Sequence, residues 1–554
     1  MTSVTGRSAF LTLLGDEGIK YLFGNPGTTE LPIMDALPQH PELRYVLGLQ
    51  ESAVVAMADG YARASNQLAA CNVHVAPGLG NAMGSLYNAK WVGSPLIVTA
   101  GQQEQGHGLM EPLLYDPLVP IAQPLVKWAV EVTRVEDLPR IVRRAAKVAT
   151  TPPTGPVFIS LPGDILDDTA ELDLGKPTRV DPMTRPSDAA LERLAARLLA
   201  ASNPVLIAGN ELATYGAWDE AAGLAELLGA PVYQQTCPYS AQFPSQHPAF
   251  LGALTRNQRQ VRDALQPHDL LVSLGGDALR MSVQSTVSPL PEGMPIVQVS
   301  ERDWDLGKNY PAEIALRSNV KETLHALLPV LRAQRSPQRA EQAARRLVEL
   351  ASRNWSTTRE RLQKELQTAA AIKPIDPRFL MMSIVETLPA DAVVVDEGVS
   401  STSSLLSLLP FRDPRCYYGL ASGGIGFAVA GAIGVSLALP GRAIVAIIGD
   451  GSAMYNIQAL WTAAHLNLPI TYVIANNRSY HILKRRLVDL RGTEKFIGMD
   501  MREPAIDFVG LARSLGVPAR RITDPHDIAP ALKEAVESGS PSLLDVLVAD
   551  SFGN

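Results

Sequence analysis

The chain has 554 residues, 46% hydrophobic and 19% charged, which is enough for about three domains of ordinary size. A formal net charge of −7 and a pI near 5.8 exclude a general attraction to nucleic acid or to an anionic membrane, so the chemistry must come from a local site. Cys71, Cys237 and Cys416 are far apart and form no CxxC pair, which fits small core positions in a protein of the reducing cytoplasm. No basic-plus-apolar leader pattern opens the sequence. The most hydrophobic stretch, 426–439, is too short to span a bilayer and is stopped by Pro440-Gly441-Arg442, so it reads as a buried helix.

The first block spans residues 1–175. Short apolar runs at 21–23, 45–50, 69–74, 95–100 and 157–161 read as strands. The first runs into the tight turn Gly24-Asn25-Pro26-Gly27, and Pro162-Gly163-Asp164 marks the exit. Glu51 ends the second strand and precedes an amphipathic helix over 52–63. Among Ala and Val neighbours its carboxyl would be partly desolvated, which suits it to hold and share a proton. Taken alone, it reads as an acid answering a helix dipole. His74 ends the third strand before the Gly-rich turn Ala76-Pro77-Gly78-Leu79-Gly80-Asn81, and alone it reads as structural. His107, in the polar loop 101–108, reads either as a surface residue or as part of a site.

The second block, 186–332, carries strands at 204–208, 231–235, 270–274 and 295–299. The stretch Asp269 to Gly276 resembles a nucleotide-type strand and turn, but the block reads as a structural doubly wound domain without a ligand. A charged helical connector follows over 333–374, ended by Lys373-Pro374. The third block, 375–554, opens with a helix at 377–387 and a strand at 392–395. Blocks one and three share an open parallel-sheet pattern with no internal repeat in residue identity.

The most informative feature lies in the third block. An apolar strand at 443–448 ends in Gly449-Asp450-Gly451-Ser452. A helical stretch at 457–467 and a strand at 470–475 follow, and Asn476-Asn477 places an amide 27 positions after the aspartate. One helical crossover brings the ends of two parallel strands together. Hard oxygen ligands there suit Mg²⁺ holding a diphosphate, with glycines admitting the phosphate oxygens and Ser452 adding a hydroxyl.

Glu51, the helix with Ala58-Asp59-Gly60-Tyr61-Ala62-Arg63, the turn from His74 to Asn81 and the Asp450–Asn477 unit occur together and in order. On these motifs the chain resembles, over nearly its whole length, the thiamine diphosphate (ThDP) enzymes of the decarboxylase and acetolactate synthase superfamily. It is most similar to the benzoylformate decarboxylase branch, through Phe23-Gly-Asn-Pro-Gly27, Glu30-Leu-Pro32, Thr99-Ala-Gly-Gln-Gln103, Pro124-Leu-Val-Lys-Trp128 and Leu460-Trp-Thr-Ala-Ala464. The resemblance implies an α/β fold of three doubly wound parallel-sheet domains, termed Pyr, central and PP. The active site would lie between the Pyr domain of one subunit and the PP domain of another, making a homodimer the minimum and a homotetramer usual. Asp450, Asn477 and the Ser479 carbonyl would hold Mg²⁺. Ser452, Tyr455 and Ser400 would contact the diphosphate, and Gly451 and Tyr480 complete the cofactor-binding set. Ile425 would wedge the cofactor into a bent shape, with the Gly423 carbonyl accepting from its aminopyrimidine. FAD in the central domain, known in some relatives, is not favoured.

The implied activity is non-oxidative decarboxylation of a 2-oxo acid, with carboligation beside it. Glu51 would stabilise the imino form of the pyrimidine, which takes the thiazolium C2 proton at close range, and the thiazolium would accept the electrons left by carbon dioxide. An acetolactate-synthase-like transferase or an aldehyde lyase uses the same site. Glu51 argues against a non-catalytic cofactor-binding homologue. The departures concern the substrate. Thr28 stands for the branch's serine as a carboxylate-binding hydroxyl. His74 matches the first active-site histidine, but Ser282 occupies the place of the second, leaving His107 to take its part. Gly419 and Arg486 fall where aromatic residues are expected, beside His481 and Ile482. Lys484 and Arg485 read as a solvated helix face. Arg486, if it points inward, would favour an anionic or polar substrate.

Overall fold

A computed structural model describes residues 2–550; residues 1 and 551–554, the outer ends of the first and third blocks, lie outside the described residues. The first block contains β1 (Thr2–Thr5), β2 (Tyr21–Gly24), β3 (Arg44–Leu47), β4 (Ala69–Val73), β5 (Leu96–Gln102), β6 (Ala129–Glu131), β7 (Val157–Pro162) and β8 (Thr169–Leu172). The second contains β9 (Pro204–Ala208), β10 (Val232–Gln234), β11 (Phe250–Ala253), β12 (Leu270–Leu274), β13 (Ile296–Ser300) and β14 (Ile314–Arg317). The third contains β15 (Val393–Glu397), β16 (Tyr417–Gly419), β17 (Ile444–Gly449), β18 (Ile470–Asn476), β19 (Ala519–Ile522) and β20 (Ser542–Leu547).

Three six-stranded sheets result, ordered β3-β2-β4-β5-β7-β6, β11-β10-β9-β12-β13-β14 and β16-β15-β17-β18-β20-β19; β1 and β8 form a separate antiparallel pair. Every pairing within the large sheets is parallel, which is why their central strands are continuous apolar runs buried on both faces. In each sheet the chain turns back across an earlier strand, between β2 and β4, between β9 and β12, and between β15 and β17. The carboxyl ends at such reversals leave crevices where ligands bind. In the central sheet that crevice opens into a cavity of about 600 Å³ lined by Asn210, Gly275, Arg280 and Glu301.

The expected central strands and the edge strand β3 are present; the other edge strands were not anticipated. β6, β11, β14 and β19 are three or four residues long and partly exposed, so they lack an apolar run. β20 is hidden by a buried acid, Asp545, in mid-strand. Cys71 and Cys416 are core residues as expected, whereas Cys237 is half-buried and faces the cavity. The helix Ala428–Ala438 carries the expected Gly/Ala-rich segment, and among the described residues no helix is long and apolar enough to cross a membrane. This helix packs against Glu51–Ser65 with almost no separation. A methyl at Gly434 would overlap the Met57 carbonyl, and one at Gly60 would overlap the Gly431 carbonyl. The first and third sheets are thus joined by helices in backbone contact.

Candidate active site

At the carboxyl ends of β17 and β18, Gly449 pairs with Ala475, which sets Asp450 beside the asparagine pair. Asp450 is buried. Its Oδ1 accepts from the Gly451 N–H (2.8 Å) and its Oδ2 from the Arg478 N–H (2.5 Å), and burial pushes its carboxyl up to about 6. The two asparagines divide the work. Asn476 donates to buried Asp545 at 2.8 Å, while Asn477 turns the other way and its Oδ1 accepts from the Ser479 N–H at 2.9 Å. Arg478 between them has φ of 57°, the left-handed turn that folds the loop back over Asp450. A Cβ at Gly451 would lie 2.6 Å from the Tyr480 ring, so that ring closes on bare backbone. Among the described residues no group of three or more His, Cys, Asp and Glu could hold a metal. One carboxylate, one amide oxygen and one carbonyl make a hard oxygen set that fits Mg²⁺ better than a softer ion.

Beside this loop, the turn that carries Ile425 is held from below. Glu397 at the end of β15 accepts from the N–H groups of Gly426 and Ala428, the latter at 2.5 Å, and burial pushes it up to about 7. Asn456 donates to the Gly426 carbonyl. Gly423 and Gly426 have φ of 83° and 117°, which only glycine adopts without strain. Ile425 is thereby presented half-buried on a fixed backbone, with Gly423 exposed. Ser452 is buried, Tyr455 is exposed, and half-buried Ser400 follows the left-handed Val399.

In the first domain Glu51 opens its helix, capped by Gln50, whose side chain accepts from the Ser52 and Ala53 N–H groups. The Glu51 carboxyl is buried and accepts from Asn81 at 3.0 Å; a Cβ at Gly78 would stand 2.9 Å from it. Its neighbour Ser52 meets Asn456 of the third domain at 3.2 Å. His74 is not alone: its Nδ1 lies 2.7 Å from Glu30 Oε2 and 3.3 Å from Thr29 Oγ1. Thr28 is exposed; the hydroxyl beside His74 is that of Thr29. His107 is exposed, on the loop after β5.

The remaining expected pocket residues are scattered. Gly419 lies in the wall toward the central domain, where its carbonyl accepts from Arg63 at 3.0 Å. Ser282 is exposed on a central-domain loop. His481, Ile482 and Arg486 lie half-buried on the helix His481–Arg491. Lys484 does not sit on a solvated face; it is 4% exposed and pairs with Asp500 (2.6 Å) and Asp550 (2.8 Å), while Arg485 is exposed as expected. Asp550 also accepts from Ser479 Oγ, His481 Nδ1 and Arg502, so one carboxylate ties the metal loop to the pocket helix. Sequence reasoning missed Glu30, Glu397 and Asp550. For Glu397 a signal existed: like Glu51, it is an acid shortly after a short apolar run, here one residue beyond Asp396.

Three family models match in the order of these sheets: Thiamine pyrophosphate enzyme, N-terminal TPP binding domain, over residues 4–112; the central domain over 191–327; and the C-terminal TPP binding domain over 398–546. The chain belongs to the thiamine pyrophosphate enzymes. It is 34% identical over 545 residues to benzoylformate decarboxylase of Pseudomonas aeruginosa, covering 98% of each chain. It is 28% identical over 554 residues to acetolactate synthase isozyme 3 large subunit of Escherichia coli, covering 97% of this chain and 93% of the other. Among solved structures, the thiamine diphosphate-dependent 4-hydroxybenzoylformate decarboxylase of Rhodococcus jostii RHA1 superposes with a TM-score of 0.89 at 32% identity, covering 99% of this chain and all of that one. The matched models name thiamine pyrophosphate, and none names a flavin.

Proposed function

We propose that the protein is a ThDP- and Mg²⁺-dependent decarboxylase of a small 2-oxo acid, working as a homodimer or a tetramer of such dimers. The observation that carries this reading is the Asp450–Asn477 loop standing with a capped, buried Glu51 in a chain 34% identical to a benzoylformate decarboxylase. Asp450, Asn477 and the Ser479 carbonyl would hold the metal. Ser400, Ser452 and Tyr455 would face the diphosphate, and the Gly423 carbonyl and Ile425 the ring portion, with Gly451 backed by Tyr480. When bound, ThDP supplies the electron sink for decarboxylation. Glu51, fixed by Asn81, is placed to hold a proton against a ring nitrogen. His74 is placed to move a proton at its free ring nitrogen, and the burial of Glu51 shields its carboxyl from water. The exposed Thr28 hydroxyl is suited to a substrate carboxylate, whereas Thr29 already gives its hydrogen to Glu30.

A second reading, carbon–carbon ligation by a carboligase or acetolactate-synthase-like transferase, is favoured by one observation: the place expected for a second histidine holds Ser282, which is exposed. The test is a 2-oxo acid panel with added ThDP and Mg²⁺, scoring carbon dioxide, aldehyde and hydroxyketone. Aldehyde release that falls about 100-fold in Glu51→Gln, with cofactor binding retained, is the expected result. Hydroxyketone as the sole product favours ligation, and no turnover of any 2-oxo acid removes the decarboxylase reading.

A further inference from the structure

We propose that Glu30 is a positioning residue that fixes the tautomer and direction of His74. Glu30 lies at the reversal between β2 and β4, and none of its surface is exposed. Four donors converge on its two oxygens. Oε1 accepts from the Gly101 N–H at 2.7 Å and from Thr29 Oγ1 at 3.0 Å; Oε2 accepts from the Gly27 N–H at 2.9 Å and from His74 Nδ1 at 2.7 Å. Three strand ends thus supply the cradle: the turn after β2, the residue after β4, and Gly101, the penultimate residue of β5. Two glycines make room for it. A Cβ at Gly101 would overlap the carboxylate, and a Cβ at Gly27 would overlap the His74 ring.

The proton count follows from this geometry. A carboxylate only accepts, so the hydrogen between Oε2 and Nδ1 belongs to the imidazole. Thr29 has one hydroxyl hydrogen and gives it to Oε1, so its oxygen too can only accept from Nδ1. Both neighbours therefore place the neutral ring's single hydrogen on Nδ1 and leave Nε2 with its lone pair. The side chain is 21% exposed and its Nδ1 is taken by Glu30 and Thr29, so Nε2 is the nitrogen left to act. When Nε2 takes up a proton, the imidazolium formed is balanced by the Glu30 carboxylate. When Nε2 gives that proton up, the ring returns to the same tautomer. A glutamine at position 30 cannot serve four donors, because its amide must point NH₂ at one of them.

The functional part of this inference rests on the decarboxylase reading, and the experiment separates the two. In wild-type holoenzyme labelled with ¹⁵N-histidine, the His74 signals, assigned by their loss in His74→Gln, are expected to show hydrogen on Nδ1 and none on Nε2. Glu30→Gln is expected to lower kcat about 100-fold with KM and ThDP affinity within threefold of wild type, and to shift the ¹⁵N pattern toward Nε2–H. In a His74→Gln background, Glu30→Gln should cost nothing further in kcat. A wild-type spectrum with bare Nδ1 overturns the assignment, as does an equal kcat loss in both backgrounds. If Glu30→Gln does not fold, the wild-type spectrum and the Glu30→Asp variant decide alone. If no 2-oxo acid turns over, the decarboxylase reading falls while the spectrum still answers for Glu30.

Discussion

Asp450 carries two opposing demands. Burial lifts its carboxyl from 3.8 to about 6, yet a metal needs it charged. In the metal-free protein the charged form is the costly one, so this group opposes folding above pH 6 and the cost is relieved as the pH falls through it. For metal binding the sign is reversed, because protons compete with Mg²⁺. Mg²⁺ affinity is expected to fall about tenfold per pH unit below 6 and to be flat above 7. Titration calorimetry with Mg²⁺ and ThDP between pH 5 and 8 checks this, and Asp450→Asn should remove both the affinity and its slope. Asp450, Asn477 and Glu51 were legible in the sequence because each is a polar residue at the end of an apolar run, which is a local signal. Glu30, Asp550 and the burial of Lys484 were not. Glu30 meets His74 across 44 positions and Asp550 meets His481 across 69, so nothing nearby in the chain announces either pairing.

Among the elements, the pair of helices Glu51–Ser65 and Ala428–Ala438 is held at backbone contact by glycines. Gly434→Ala adds a methyl where the Met57 carbonyl and the Tyr61 N–H already stand, so the helices must part. The expected cost is about 3 kcal/mol, read as a lower melting temperature and loss of ThDP binding, with Gly441→Ala, a loop position with open space but a strained φ of 86°, as the milder control. Central strands such as β17 and β18 were readable because burial on both faces demands an unbroken apolar run. β14, with alternate residues exposed, and β20, broken by Asp545, offer no such run, and their places are set by neighbouring strands.

Across the whole molecule, apolar side chains stand in water around the candidate site. Leu109 and Leu113 are 96% and 89% exposed on the loop with His107, and Tyr455 is 55% exposed on the cofactor side. A single chain rarely leaves such residues uncovered, and a second copy is the occupant that the family resemblance implies. A Leu109→Asp/Leu113→Asp protein is expected to shift toward monomer in analytical ultracentrifugation and to lose turnover with it. A double variant that keeps both its mass and its rate would place the subunit contact elsewhere. The glycine-seated helix pair also bears on how a cofactor gets in. Two domains welded backbone to backbone cannot swing apart on a hinge. Admission then comes either from the two subunits parting or from smaller parts, such as the turn at Gly423 or the 478–502 segment clasped by Asp550, and in the second case the pace of loading would be set by how often that clasp lets go.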